Sequence, residues 1–120
     1  MNSILLVSGN VLIRNLLAQA WMRQGYHVFS ASDPREAEAL AREFAGEVCL
    51  AVLHLLSGQA QNVIESLAAN VENLRFIVIS EATASALRTL AEDVPLPDAL
   101  AAAVRRACSD APAQSSIETV

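Results

Sequence analysis

Residues 3–37 read SILLVSGNVLIRNLLAQAWMRQGYHVFSASDPREA, and the order of apolar and turn-forming residues in this stretch decides the fold. Ser3 to Val7 is an apolar run closed by the turn cluster Ser8-Gly9-Asn10, the pattern of a strand buried on both faces. From Val11 to Gln24, Leu12, Ile13, Leu16, Leu17, Ala20 and Trp21 recur at helical intervals, and Gly25 supplies a stop. A strand followed by an amphipathic helix is the first unit. Tyr26 to Ser30 forms a second short strand. Asp33-Pro34-Arg35-Glu36 then joins an N-cap, a first-turn proline and a capping-box glutamate, opening a helix that runs to about Ala45.

The alternation continues outward from that stretch. Gly46 breaks the second helix, and Val48 to Leu53 is a branched apolar run ending at His54. Ser57-Gly58 marks a loop. Gln61 to Asn70 carries Val63, Ile64, Leu67 and Ala68 at helical spacing, and Phe76 to Ile79 is a fourth buried strand ending at Ser80. Strands that alternate with helices, joined by connections long enough for a crossover, predict a parallel sheet covered on both faces. Beyond Ser80 the signals weaken: Ala82 to Ala91 reads as a short helix and Val94-Pro95-Leu96-Pro97 as a stub of edge strand. Asp98 to Cys108 is helical again, with Leu100, Ala103, Val104 and Ala107 on one face and Arg105 and Arg106 in its last turns. These elements predict one domain over residues 1–108. The small and polar residues 109–120 read as a flexible tail or linker.

Composition narrows the function classes. At 120 residues the chain has room for one domain, and its apolar runs fall far short of the roughly 18–20 residues that a membrane span needs. The first residues enter the strand directly, with no basic segment or cleavage site, so a cytoplasmic location with no membrane partner is expected. A net charge of -5 argues against nucleic acid as a partner, because phosphate contacts need clustered positive charge. Cys49 and Cys108 match no metal-ligand spacing and read as buried thiols. All 8 basic side chains are arginines, and the chain has no lysine. No glycine-rich phosphate loop of the GxGxxG or Walker kind is present.

In an open parallel sheet, chemistry gathers at the carboxyl ends of the strands, which here are Ser8-Gly9-Asn10, His54 and Ser80. The run Ile4 to Val7, its turn and Val11 to Leu17, together with Gly25-Tyr26-His27-Val28 and Ala31-Ser32-Asp33, resembles the opening of bacterial response-regulator receiver domains. The resemblance covers about residues 3–108 as an ordered series of elements, with the best local match before Ala41. It implies an α/β, flavodoxin-like three-layer sandwich whose central parallel sheet has about five strands in the order 2-1-3-4-5. Against that family, the stretch from Ser80 to Pro95 is short, so the region of the fourth helix and fifth strand is expected to be abbreviated.

The same resemblance implies where a phosphorylation pocket would stand. Receiver domains carry an acidic pair after the first strand, a phosphoryl-accepting aspartate after the third, a hydroxyl after the fourth and a lysine after the fifth. Those places fall on Ser8 and Gly9, on His54, on Ser80 and near Val94, so only the hydroxyl survives. Aspartyl phosphorylation needs a carboxylate nucleophile and a divalent cation held by oxygen ligands, with a fixed cation alongside. The chain lacks residues for each, so neither catalysis nor a cofactor or metal is expected. An isolated histidine at a sheet rim is more often a satisfied polar group than a phosphoryl acceptor or metal ligand, and Ser80 is more often a helix cap.

The resulting expectation is a degenerate, non-enzymatic receiver domain that acts in two-component signalling or a phosphorelay by contacting proteins. Its partner would be a histidine kinase, an output domain or another regulator, or a second copy of the chain. The interaction surface is expected on Leu100, Val104 and Arg105. Two alternatives stand beside it. One is a small-molecule or anion-binding domain using backbone amides around Ser8-Gly9-Asn10 with the hydroxyls of Ser57 and Ser80. The other is the N-terminal receiver-like domain of a longer multidomain signalling protein. In that reading Ser109 to Ser116 are a linker and Ile117 to Val120 lead into a following domain.

Overall fold

Local capping chemistry sets the helix starts in the computed structural model, which describes residues 3–55, 57–71, 74–89, 96–109 and 117–120. The Asn10 side chain accepts from the Ile13 N–H at 3.1 Å, that of Asp33 from the Glu36 N–H at 2.9 Å, and that of Ser80 from the Thr83 N–H at 3.3 Å. Each satisfies an amide that the first helical turn leaves without a partner, an arrangement that contributes about 1 kcal/mol. Gly25 ends the first helix with φ of 96°, a left-handed conformation that a side chain would strain.

The elements follow in the order β1 (Ser3–Ser8), α1 (Val11–Arg23), β2 (His27–Ala31), α2 (Pro34–Glu43) and β3 (Val48–His54). After them come α3 (Ser57–Asn70), β4 (Arg75–Val78), α4 (Glu81–Arg88), α5 (Asp98–Ser109) and β5 (Ile117–Thr119). All strand pairings are parallel and the sheet order is β2-β1-β3-β4-β5. The expected α/β sandwich and strand order are both present.

Successive strand residues point to opposite faces, and the two halves of the core follow from that period. Ile4, Leu6, Leu50, Val52 and Ile77 pack with Ile13, Leu17 and Trp21 of α1, Leu87 of α4, and Leu100 and Val104 of α5. Leu5, Val7, Ala51, Leu53 and Phe76 pack on the other face against Ala37 and Ala41 of α2 and Val63, Ile64 and Leu67 of α3. A fully buried leucine or isoleucine contributes about 1.5–3 kcal/mol, so β1 and β3, covered on both faces, anchor the domain.

Four expectations are corrected. Helix α3 begins at Ser57 rather than Gln61, because buried Ala60 extends its apolar stripe one turn back through Ser57-Gly58, which had read as a loop. The fifth strand is Ile117–Thr119, paired with β4 through Phe76↔Ile117, Ile77↔Glu118 and Val78↔Thr119, in a segment that had read as tail. Val94 and Pro95 lie outside the described residues, while Leu96 is buried in the core and Leu96-Pro97 forms no strand. A proline has no N–H to give a ladder, whereas Ile117 and Thr119 are β-branched. Both α4 and α5 therefore lie between β4 and β5 in the chain. Finally, Leu100 and Val104 are 0% and 1% exposed, so they belong to the core and not to an interaction surface; Arg105 is on the exposed side of α5.

Candidate functional site

Parallel register brings the ends of β1 and β3 side by side, with Ser8 opposite His54. Their side chains meet: Ser8 Oγ lies 3.0 Å from His54 Nδ1. The Ser8 hydroxyl also accepts from the Asn10 N–H at 3.1 Å, so its own proton is free to go to the imidazole. Ser8 Oγ is 3.4 Å from the Asn10 carbonyl, a longer and weaker alternative. With Nδ1 accepting from Ser8, the ring proton sits on Nε2, which lies 3.8 Å from Glu81 Oε1 at the start of α4. The turn beneath is tied by Arg14, whose Nη1 donates to the Ser8 carbonyl at 2.8 Å.

Burial holds the His54 imidazole below its ordinary pKa of 6.5. The Glu81 charge and its hydrogen bond pull the other way, and the Arg88 charge pushes with burial. Because the neutral ring is favoured in the fold, the unfolded chain binds the proton more readily, and stability rises with pH through this window. The His54 contribution is complete above about pH 6.5 and is lost as pH falls through the depressed folded-state value. Urea midpoints measured from pH 7.5 down to pH 5 should therefore fall on acidification for the wild type. They should fall less steeply for His54→Gln, and equal slopes would refute the assignment.

A cavity of about 360 Å³ opens over these strand ends, with Gly9, Asn10, Asp33, His54, Gln59, Glu81 and Arg88 among its lining residues. Of the expected pocket positions, Gly9 and His54 line this cavity, and buried Ser8 is joined to it through His54. Ser80 is not part of the lining: its hydroxyl accepts from the Thr83 N–H and donates to Thr83 Oγ1 at 3.3 Å, so it caps α4. Val94 lies outside the described residues.

Several lining residues, Asp33, Gln59 and Arg88 among them, lie outside the pocket positions expected from the sequence. The sequence marks Asp33 only as a cap, and its Oδ1 is engaged with the Glu36 N–H. Gln59 lies in the segment read as a loop. Arg88 enters from α4, 7 residues after Glu81, and its Nη2 lies 3.5 Å from Glu81 Oε2. Two turns of helix place residues seven apart on one face, so this pair carried a usable signal. A fixed cation is therefore present, but it is an arginine from a helix and it faces a carboxylate.

The residues present do not fit the divalent cation that the resemblance implies. Gly9 has no side chain, the Ser8 hydroxyl is committed to His54, and His54 offers nitrogen where magnesium takes oxygen. Among the described residues no group of three or more His, Cys, Asp or Glu side chains could hold a metal ion. None of the described helices is long and apolar enough to cross a membrane.

No protein-family model matches the chain, and no curated relative does. Solved structures do. The receiver domain of the hybrid histidine kinase CckA superposes with a TM-score of 0.72 at 22% identity, covering 89% of this chain and 99% of that one. The non-phosphorylated receiver domain of HemR from Leptospira biflexa gives 0.70 at 23% identity, covering 92% of this chain and 97% of that one. A response-regulator receiver domain from Clostridium thermocellum gives 0.71 at 14% identity, over 90% and 94% of the two chains.

The fold is that of receiver domains. At these identities the likeness concerns backbone architecture, and the receiver frame here carries Ser8, Gly9 and His54 at the strand ends where the resemblance puts carboxylates.

Proposed function

We propose that this receiver fold is a non-enzymatic signalling module, working in a two-component system by protein–protein contact and without aspartyl phosphorylation. The observation that carries the reading is His54. It stands at the end of β3 in place of the acceptor carboxylate, with Nδ1 tied to Ser8 at 3.0 Å. A neutral imidazole in that bond cannot act as the carboxylate nucleophile, and its neighbours offer no oxygen cage for a divalent cation. Support for a signalling role comes from the receiver frame itself, whose solved neighbours include a domain of a hybrid histidine kinase. A kinase, an output domain or another regulator is the class of partner such a frame suits, and the exposed side of α5 around Arg105 is available for contact.

The anion-binding alternative is less well supported. The Asn10 amide is already bonded to Ser8, Ser80 caps α4, and Asp33 and Glu81 place negative charge on the cavity wall. The test is intact-mass analysis after incubation with acetyl phosphate and magnesium. An unchanged mass is expected, and an adduct that disappears in His54→Gln would overturn the proposal.

A further inference from the structure

The edge of the sheet at β5 is built unlike its other strands. Its three residues, Ile117 to Thr119, are all exposed, and Ile117 is 57% exposed. What holds the segment is the β4 ladder, extended by the Val120 N–H to the Val78 carbonyl at 2.9 Å and the Ser80 N–H to the Val120 carbonyl at 2.7 Å. Among the described residues one side-chain bond adds to it, from Arg106 Nη2 on α5 to Glu118 Oε1 at 2.7 Å. A cavity of about 300 Å³ opens beside the strand, lined by Arg75, Arg106, Ala107 and Ile117 among others. The strand is thus seated mainly by backbone bonds, with partial packing of Val120 on the core.

The seat it covers is the opposite. Phe76 and Ile77 of β4 are 2% and 1% exposed, so β4 is a core strand that would present unpaired amides and carbonyls without β5. A lightly anchored strand on a strongly adhesive edge is the arrangement in which an identical element exchanges between copies at low cost. Seven residues join Ser109 to Ile117, a covalent reach of up to about 25 Å.

We propose that β5 is an exchangeable strand, and that the β4 edge with Arg106 binds Ile117–Val120 of a second copy of this chain to form a reciprocal dimer. The second copy is the favoured occupant because its strand reproduces every bond of the seat, including the acidic residue that meets Arg106. The inference concerns the sheet edge and stands apart from the chemistry of His54.

The test is a charge reversal across the one side-chain bond. In Arg106→Glu the seat repels its own Glu118, and in Glu118→Arg the strand repels its own Arg106. In an exchanged heterodimer of the two variants both seats are matched. Native mass spectrometry after incubating the mixture should show heterodimer exceeding either homodimer by about tenfold, the scale of two exposed pairs switched from repulsive to attractive. The double variant Arg106→Glu/Glu118→Arg restores the bond within one chain and should associate as the wild type does. Association in the mixture no greater than in the separate variants would overturn the proposal. So would equal association in every sample, which would put the contact on another face.

Discussion

Leu100→Asp is expected to leave the chain largely unfolded at 25 °C, whereas Arg105→Glu, five residues on in the same helix, should change stability by no more than about 0.5 kcal/mol. Leu100 is fully buried where α5 meets the sheet face formed by Ile4, Leu6, Leu50 and Val52. Removing its side-chain packing costs about 2–5 kcal/mol, and a carboxylate placed there would be buried in an apolar cluster. Together the losses reach about 5 kcal/mol or more, against a total stability of about 5–15 kcal/mol for a domain of this kind. Far-ultraviolet circular dichroism and urea titration would read both variants. If Leu100→Asp kept the wild-type midpoint and lost only association, the inward placement of α5 would be refuted and Leu100 would return to the surface.

That contrast marks where the sequence was legible. The period of Leu100, Ala103 and Val104 announced an amphipathic helix, and the helix is there. Periodicity says that a face is apolar, not what covers it; whether sheet or partner does so depends on tertiary packing. The early strands were easier, because burial on both faces writes a continuous apolar run into Ile4–Val7 and Val48–Leu53. Strand β5 left no such trace. It is three residues long, exposed, and defined by a pairing with Phe76–Val78 that is remote in sequence, so its composition resembled that of a linker. At the site, each strand-end residue could be named in advance. The bond between Ser8 and His54 depends on the β1–β3 register, and the entry of Arg88 depends on how α4 is rotated on the sheet.

Placing carboxylates at the ends of β1 and β3 should create a magnesium site on this backbone. In Ser8→Asp/Gly9→Asp/His54→Asp, three like charges converge at the ends of β1 and β3, so the variant is expected to melt below the wild type when no divalent cation is present. The frame has room for them. A Cβ at Gly9 would meet the Ser32 carbonyl at 3.6 Å, an ordinary contact, and Gly9 is not among the positive-φ glycines, so a side chain there is not strained. Magnesium at about ten times its dissociation constant would then restore about 1.4 kcal/mol, or about 5 °C in melting temperature for a domain of this size. The wild type should show no magnesium-dependent shift, since Ser8 is bonded to His54 and Gly9 contributes nothing. Thermal melts with and without magnesium, with calcium as a control for size and geometry, would decide it. A shift confined to the variant means that the side chains at positions 8, 9 and 54 alone keep magnesium off this backbone. No shift in either protein means that the strand ends do not present carboxylates in a geometry that holds the cation, with Glu81 and Arg88 of α4 occupying the approach that it would need.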